Sequence, residues 1–171
     1  LVLWGLMKNN KKILISFLII LFFFNINIAA GSEKINYSSN TIKILENGKI
    51  ISGEGNVEIT IDENIFISSE KFEYNKETGI YKIYNNVKFK DNLNNIKGSG
   101  TEFILSTFEN KILSKTKSNV VYQEAYNIDL NNFEYDINNQ KISSDDLVII
   151  KDDIKNYFEL YEFLFDLKTN K

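Results

Sequence analysis

Beyond Ser32 the chain alternates apolar and polar residues with period two, and this alternation returns in phase about every thirty residues. Val57, Val87 and Val120, each preceded by Asn, are 30 and 33 residues apart, and Ile65, Ile96 and Ile128 are 31 and 32 apart. Phe72, Phe103, Phe133 and Phe163 follow at 31, 30 and 30, with Tyr74, Leu105, Tyr135 and Phe165 at the same offsets. Period two places one set of side chains on one face of a strand. A strand pair of this length cannot bury that face alone, so a fixed spacing near thirty predicts stacked antiparallel β units that share one core. No stretch keeps a helical period over three turns, and the repeat phase assigns even the run Tyr157–Phe165 to strand.

Composition removes most catalytic chemistry. The 171 residues contain no His, Cys, Pro or Arg. Imidazole bases, thiolate nucleophiles and Cys/His metal sites are therefore excluded, and no cofactor or metal is expected. Any enzyme would have to work with carboxylates, hydroxyls and lysines. A glycosidase built on two carboxylates is the competing enzyme reading, and no pair of acids stands out for it. Gly98-Ser99-Gly100 lacks the Lys-Ser/Thr and helix start of a phosphate loop and reads as a bend between strands. Asn75-Lys76-Glu77-Thr78-Gly79 reads as a hairpin turn. Asp145-Asp146 and Asp152-Asp153 lack the alternating oxygen ligands and turn glycine of a calcium loop and read as solvated turns.

At the N-terminus, Met7 is followed by Lys8, Lys11 and Lys12, an apolar run from Ile13 to Phe24, and a small-residue end at Ala29-Ala30. This is the layout of a secretory signal peptide, residues 7–30, forming a helix ahead of the β domain, with residues 1–6 read as upstream translation. The run is shorter than the roughly 20 residues of a spanning helix, which favours cleavage after Ala30, with an uncleaved N-terminal anchor as the alternative. Residues 31–41 are expected to be a linker and 42–171 the β domain, which stops in mid-repeat. Cleavage after Ala30 removes three lysines and no acids, taking the formal net charge from −3 to −6. A nucleic-acid partner needs a basic footprint and is not expected.

The string Gly55 to Phe89, GNVEITIDENIFISSEKFEYNKETGIYKIYNNVKF, resembles the OstA-like module of the lipopolysaccharide transport proteins LptA, LptC and the N-terminal part of LptD. Gly55-Asn56-Val57 matches the opening strand, Glu70 to Asn75 the acidic-aromatic strand, and Asn86-Val87 the next opening. Phe133-Glu134-Tyr135-Asp136 repeats the aromatic strand, whereas Asn119-Val120 lacks the glycine. The resemblance implies an all-β, open, twisted β-jelly roll and a non-enzymatic periplasmic protein of a Gram-negative bacterium, associated with the outer membrane. The interrupted array is more like an LptD repeat domain, which leads into an outer-membrane β-barrel, than like a complete LptA.

The implied partners are lipopolysaccharide and other OstA-like domains, which pair with an N-terminal edge near Ile42–Ile51. The expected lipid-facing residues are Ile59, Ile61, Ile65, Ile67, Phe72, Tyr74, Ile83, Val87, Phe89, Phe103, Leu105, Val120, Tyr122, Ile128, Leu130, Phe133 and Tyr135. Each is equally suited to the dry core of a structural or adhesin-type repeat. Lys88 and Lys90 point outward by parity, with two readings: contact with a phosphorylated head group, or solvated strand-face lysines that discourage edge aggregation, the second being the reading preferred.

Overall fold

The computed structural model describes residues 35–169. The signal-peptide segment 7–30 and the residues ahead of it lie outside the described residues. The strands are β1 (Ile35–Ser38), β2 (Thr41–Leu45), β3 (Ile50–Ile61), β4 (Ile65–Asn75), β5 (Ile80–Asp91), β6 (Ile96–Ser106) and β7 (Lys111–Ser114). They continue as β8 (Ser118–Tyr122), β9 (Tyr126–Leu130), β10 (Phe133–Asp136), β11 (Lys141–Ser144), β12 (Val148–Lys151), β13 (Tyr157–Leu160) and β14 (Phe163–Asp166). Every pairing is antiparallel, and hydrogen bonds join all fourteen strands into one continuous sheet.

That sheet is folded lengthwise. The four long strands β3 to β6 each contribute one half to each of two facing layers, and the register shifts where they cross, between Glu54 and Val57, Ser68 and Lys71, and Tyr84 and Val87. A bulge bends and twists a strand, and here it turns the chain from one layer to the other. Gly55 and Asn56 (φ +76° and +46°) and Asn85 and Asn86 (+63° and +52°) supply the left-handed backbone that the bend requires. Gly and Asn tolerate this conformation best, which explains the Gly-Asn and Asn-Asn dipeptides ahead of Val57 and Val87. Asn119 occupies no such bend: it lies within β8, where its amide donates to Asn127 and Asp129.

Past β6 the crossings become short breaks between separate strands. The first layer runs β1, β3, β4, β5, β6, β8, β9, β12, β13, and the second runs β2, β3, β4, β5, β6, β7, β10, β11, β14. The thirty-residue period is one out-and-back pass, so residues in phase stand two strands apart on one layer. Val57 and Val87 form such a row, which runs on through Gly100, Ser118 and Leu130 to Val148, whereas Val120, 33 residues after Val87, pairs with Gly98 and so stands one rung over, in the row of Phe89 and Ile128.

The turns repeat with the same period. Asn75 Oδ1 accepts from the amides of Glu77 and Thr78, Asp136 Oδ1 from Asn139, and Asp166 Oδ1 from Lys168 and Thr169. Successive turns are stitched by backbone bonds, Lys76 N to Lys49 O at 2.9 Å, Thr107 N to Gly79 O at 3.0 Å, Ile137 N to Asn110 O at 3.0 Å and Leu167 N to Gln140 O at 2.9 Å.

Two expectations require correction. The stretch 31–41, read as a linker, holds β1, which pairs with Ile61 to Glu58 of β3 and starts the first layer. Gly98-Ser99-Gly100 is not a bend but part of β6, where a Cβ on Gly98 would lie 1.9 Å from the Phe89 ring on the facing strand. The same arrangement recurs at Gly53, whose absent Cβ leaves room for Phe72, 2.2 Å away. Strand glycines weaken a sheet unless something needs their space, and at both positions an aromatic ring occupies it.

Candidate functional site: a trough between two layers

The inner faces of the two layers meet through their rings. Phe89 of the first layer lies 5.7 Å from Phe103, 5.8 Å from Phe133 and 6.2 Å from Tyr135 of the second. Nearer the N-terminal end, Tyr37 of β1 contacts Phe72 at 5.3 Å and Tyr81 at 6.3 Å. Such edge and offset contacts add to the burial of the rings themselves.

One buried polar cluster spans the interior. Tyr135 donates its hydroxyl to Asp91 across the gap between layers and accepts from Asn94 Nδ2 at 2.9 Å. Asp91 also accepts from the amides of Leu93 (2.9 Å) and Asn94 (3.1 Å) and from Asn94 Nδ2 (2.8 Å), so a carboxylate only 2% exposed is fully partnered. Burial, the hydrogen bond to Asp91 and its charge push the Tyr135 phenol above its ordinary value.

Sixteen of the seventeen residues expected to face lipid are buried on this shared inner face, and Tyr74 is half-buried, stacked on Tyr81 at 4.1 Å. In the middle of the stack the trough is filled: Phe72, Ile83, Val87, Phe103, Val120 and Tyr135 have no exposed surface. Among the seventeen, Tyr122 and Ile128 line an apolar opening near the C-terminal end, a cavity of about 410 Å³. Its other walls are Gln123, Tyr126, Ile150, Phe158, Phe163 and Phe165. Tyr122 crosses the cavity to Phe165 at 5.1 Å, and Phe158 is half exposed at its rim.

The N-terminal end is open as well. Ile42 and Ile44 stand opposite Gly53 and Ile51 and so share the inner face, yet they are 48% and 68% exposed. Among the described residues β1 and β2 at one end, and β13 and β14 at the other, are paired on one side only. The N-terminal edge is thus two strands, β1 in one layer and β2 in the other, where the sequence suggested only the region of Ile42–Ile51.

The sequence missed Ile150 and Phe158 as site residues. The signal for Phe158 was available: it stands 30 residues after Ile128 and shares its row through Ile150. Ile150 stands opposite Ile128 and lies two residues after Val148, which extends the row of Val57 and Val87.

No family model and no curated protein matches the sequence. In three dimensions the chain is similar to the crystal structure of LptH from Pseudomonas aeruginosa, the LptA homologous periplasmic component of that organism's conserved lipopolysaccharide transport device. The TM-score is 0.58 at 8% sequence identity, over 77% of this chain and 96% of that one. The two share a fold, and the chain is an all-β open β-jelly roll of the LptA-like type.

Proposed function

We propose that this protein carries lipopolysaccharide through the periplasm as an LptA-like bridge, sheltering acyl chains between its layers without chemical change. The observation that carries the reading is the apolar cavity between the layers, with exposed rings at its rim and unpaired strands beside it. Each methylene withdrawn from water gains about 0.8 kcal/mol, so a multi-acyl lipid needs only a continuous apolar surface to remain bound. The lining is mainly aliphatic and aromatic, and no His or Cys exists in the chain to suggest a reaction. The likeness in fold to LptH supports the same reading.

The open edges extend the proposal. Unpaired N–H and C=O groups at β1 and β2, or at β13 and β14, are templates for strand addition. Another OstA-like domain seated there would continue both layers, and its inner face would cover Ile42 and Ile44 or Phe158 and Leu160. A repeat domain within an LptD-type outer-membrane assembly protein is the finer form of the proposal, decided by the reading frame downstream of Lys171.

The test is equilibrium uptake of a fluorescent fatty-acyl probe by the exported chain, with lipopolysaccharide as competitor. Saturable uptake displaced by lipopolysaccharide, and weakened about tenfold or more by Phe158→Glu, is expected. No uptake, or uptake indifferent to Phe158→Glu, refutes the carrier and leaves a structural envelope repeat.

A further inference from the structure

The outer face of the first layer bears three lysines where sheet chemistry disfavours them. Lys90 of β5 stands directly opposite Lys97 of β6, and Lys88 lies two residues along on the same face. Like charges facing each other across an antiparallel pair are destabilising. The pairing is not an edge defence, because β5 and β6 are interior strands, each hydrogen-bonded on both sides in this layer.

Neutralisation is only partial. Five of the six ion pairs among the described residues belong to the second layer and its turns, such as Lys71–Glu73 at 3.2 Å and Lys111–Glu134 at 2.8 Å. Among the described residues of the first layer, Lys97 pairs with Glu124 at 2.7 Å, and Lys90 also helps hold that carboxyl below its ordinary range. Among the described residues, Lys88 and Lys90 have none within ion-pair distance. The whole chain is net negative, so this is a local concentration of positive charge rather than a general one. A local conflict retained inside an otherwise consistent sheet points to a role outside stability.

The lysines line a groove of about 600 Å³. Its polar groups include the Ser68 and Ser99 side chains beside Lys88 in the ladder, and Asn119 beside Ser99. Phe66, 42% exposed, stands opposite Lys90. Glu58 is the acid on the groove wall. Such a groove is far larger than a bare phosphate needs. Ammonium groups suit a phosphate's charge, hydroxyl and amide groups suit sugar hydroxyls, and an exposed ring suits a sugar's apolar face.

We propose that this groove binds a phosphorylated saccharide, with the phosphate held among Lys88, Lys90 and Lys97 and the sugar against Phe66. The site is on the opposite side of the sheet from the trough and does not depend on what the trough carries.

Calorimetric titration of the full chain at low ionic strength with glucose 1-phosphate, glucose, inorganic phosphate and vesicles with or without phosphatidylglycerol tests it. Glucose 1-phosphate is expected to bind more tightly than either glucose or inorganic phosphate. Lys88→Gln with Lys90→Gln should weaken it about tenfold or more, and Phe66→Ala should weaken it less. A control triple on the other layer, Lys43→Gln, Lys71→Gln and Lys111→Gln, should leave it unchanged, as should occupancy of the trough by an acyl probe. Equal weakening by the control triple, absence of glucose 1-phosphate binding, or binding of the anionic vesicles alone overturns the proposal. Acyl uptake that survives Lys88→Gln with Lys90→Gln keeps this outcome separate from the fate of the carrier reading.

Discussion

At the scale of single residues, the interior is held by a few contacts that leave no slack. Phe89 lies over Gly98, and a methyl group there would meet the ring at 1.9 Å, so Gly98→Ala forces the ring or the strand to move. The expected cost is about 1–3 kcal/mol, read as a lower urea midpoint, and Phe89→Leu in the same chain should recover part of it. A midpoint unchanged by Gly98→Ala would contradict this packing. Tyr135→Phe removes the hydroxyl that bridges the layers and leaves Asp91 with bonds only from its own turn. A loss of about 1.5–3 kcal/mol is expected, because the accepting group is a buried carboxylate. The phenol's folded pKa is raised above 10.0, so its contribution is intact below pH 10 and is lost as the pH rises past that value. Urea midpoints measured from neutral to strongly alkaline pH should fall more steeply for the wild type than for Tyr135→Phe.

At the scale of elements, the edges decide whether the molecule is an end or a link. Phe158 and Leu160 of β13 stand opposite Ile150 and Val148, so they belong to the inner face, yet they are 50% and 41% exposed. If these edges dock further β-jelly rolls, Phe158→Lys with Leu160→Lys should reduce self-association about tenfold or more by sedimentation while leaving thermal unfolding nearly unchanged. Self-association that ignores the double variant would contradict edge docking. The strands were legible because period-two alternation is a local signal, and their stacking order was legible because four columns share one period. The layer crossings were not. Asn is so frequent in this chain that Asn85-Asn86, which turns β5 between layers, looks the same as Asn119, which only decorates β8. Gly98 and Gly100 misled for a related reason: a strand glycine reads as a break until the ring that fills its space is known.

For the whole molecule, the inner face was foreseen more completely than the site it forms. The columns identify which side chains converge, and nearly all of them do converge, but a column cannot tell a filled rung from an open one. Phe103 and Phe72 carry the same signal as Phe163 and Phe165, yet the first two are sealed and the last two border a cavity. That difference arises from position in the stack: a central rung has neighbours on both sides, and a terminal rung offers its face to whatever comes next. Photocrosslinking from single residues measures the trough most directly. A photoreactive side chain at Phe158, Tyr126 or Ile44 should capture lipopolysaccharide, while one at Lys82, on the outer face of the second layer, should not. Capture from Lys82 as strong as from the three rim positions, or from none of the four, would contradict an acyl-sheltering trough.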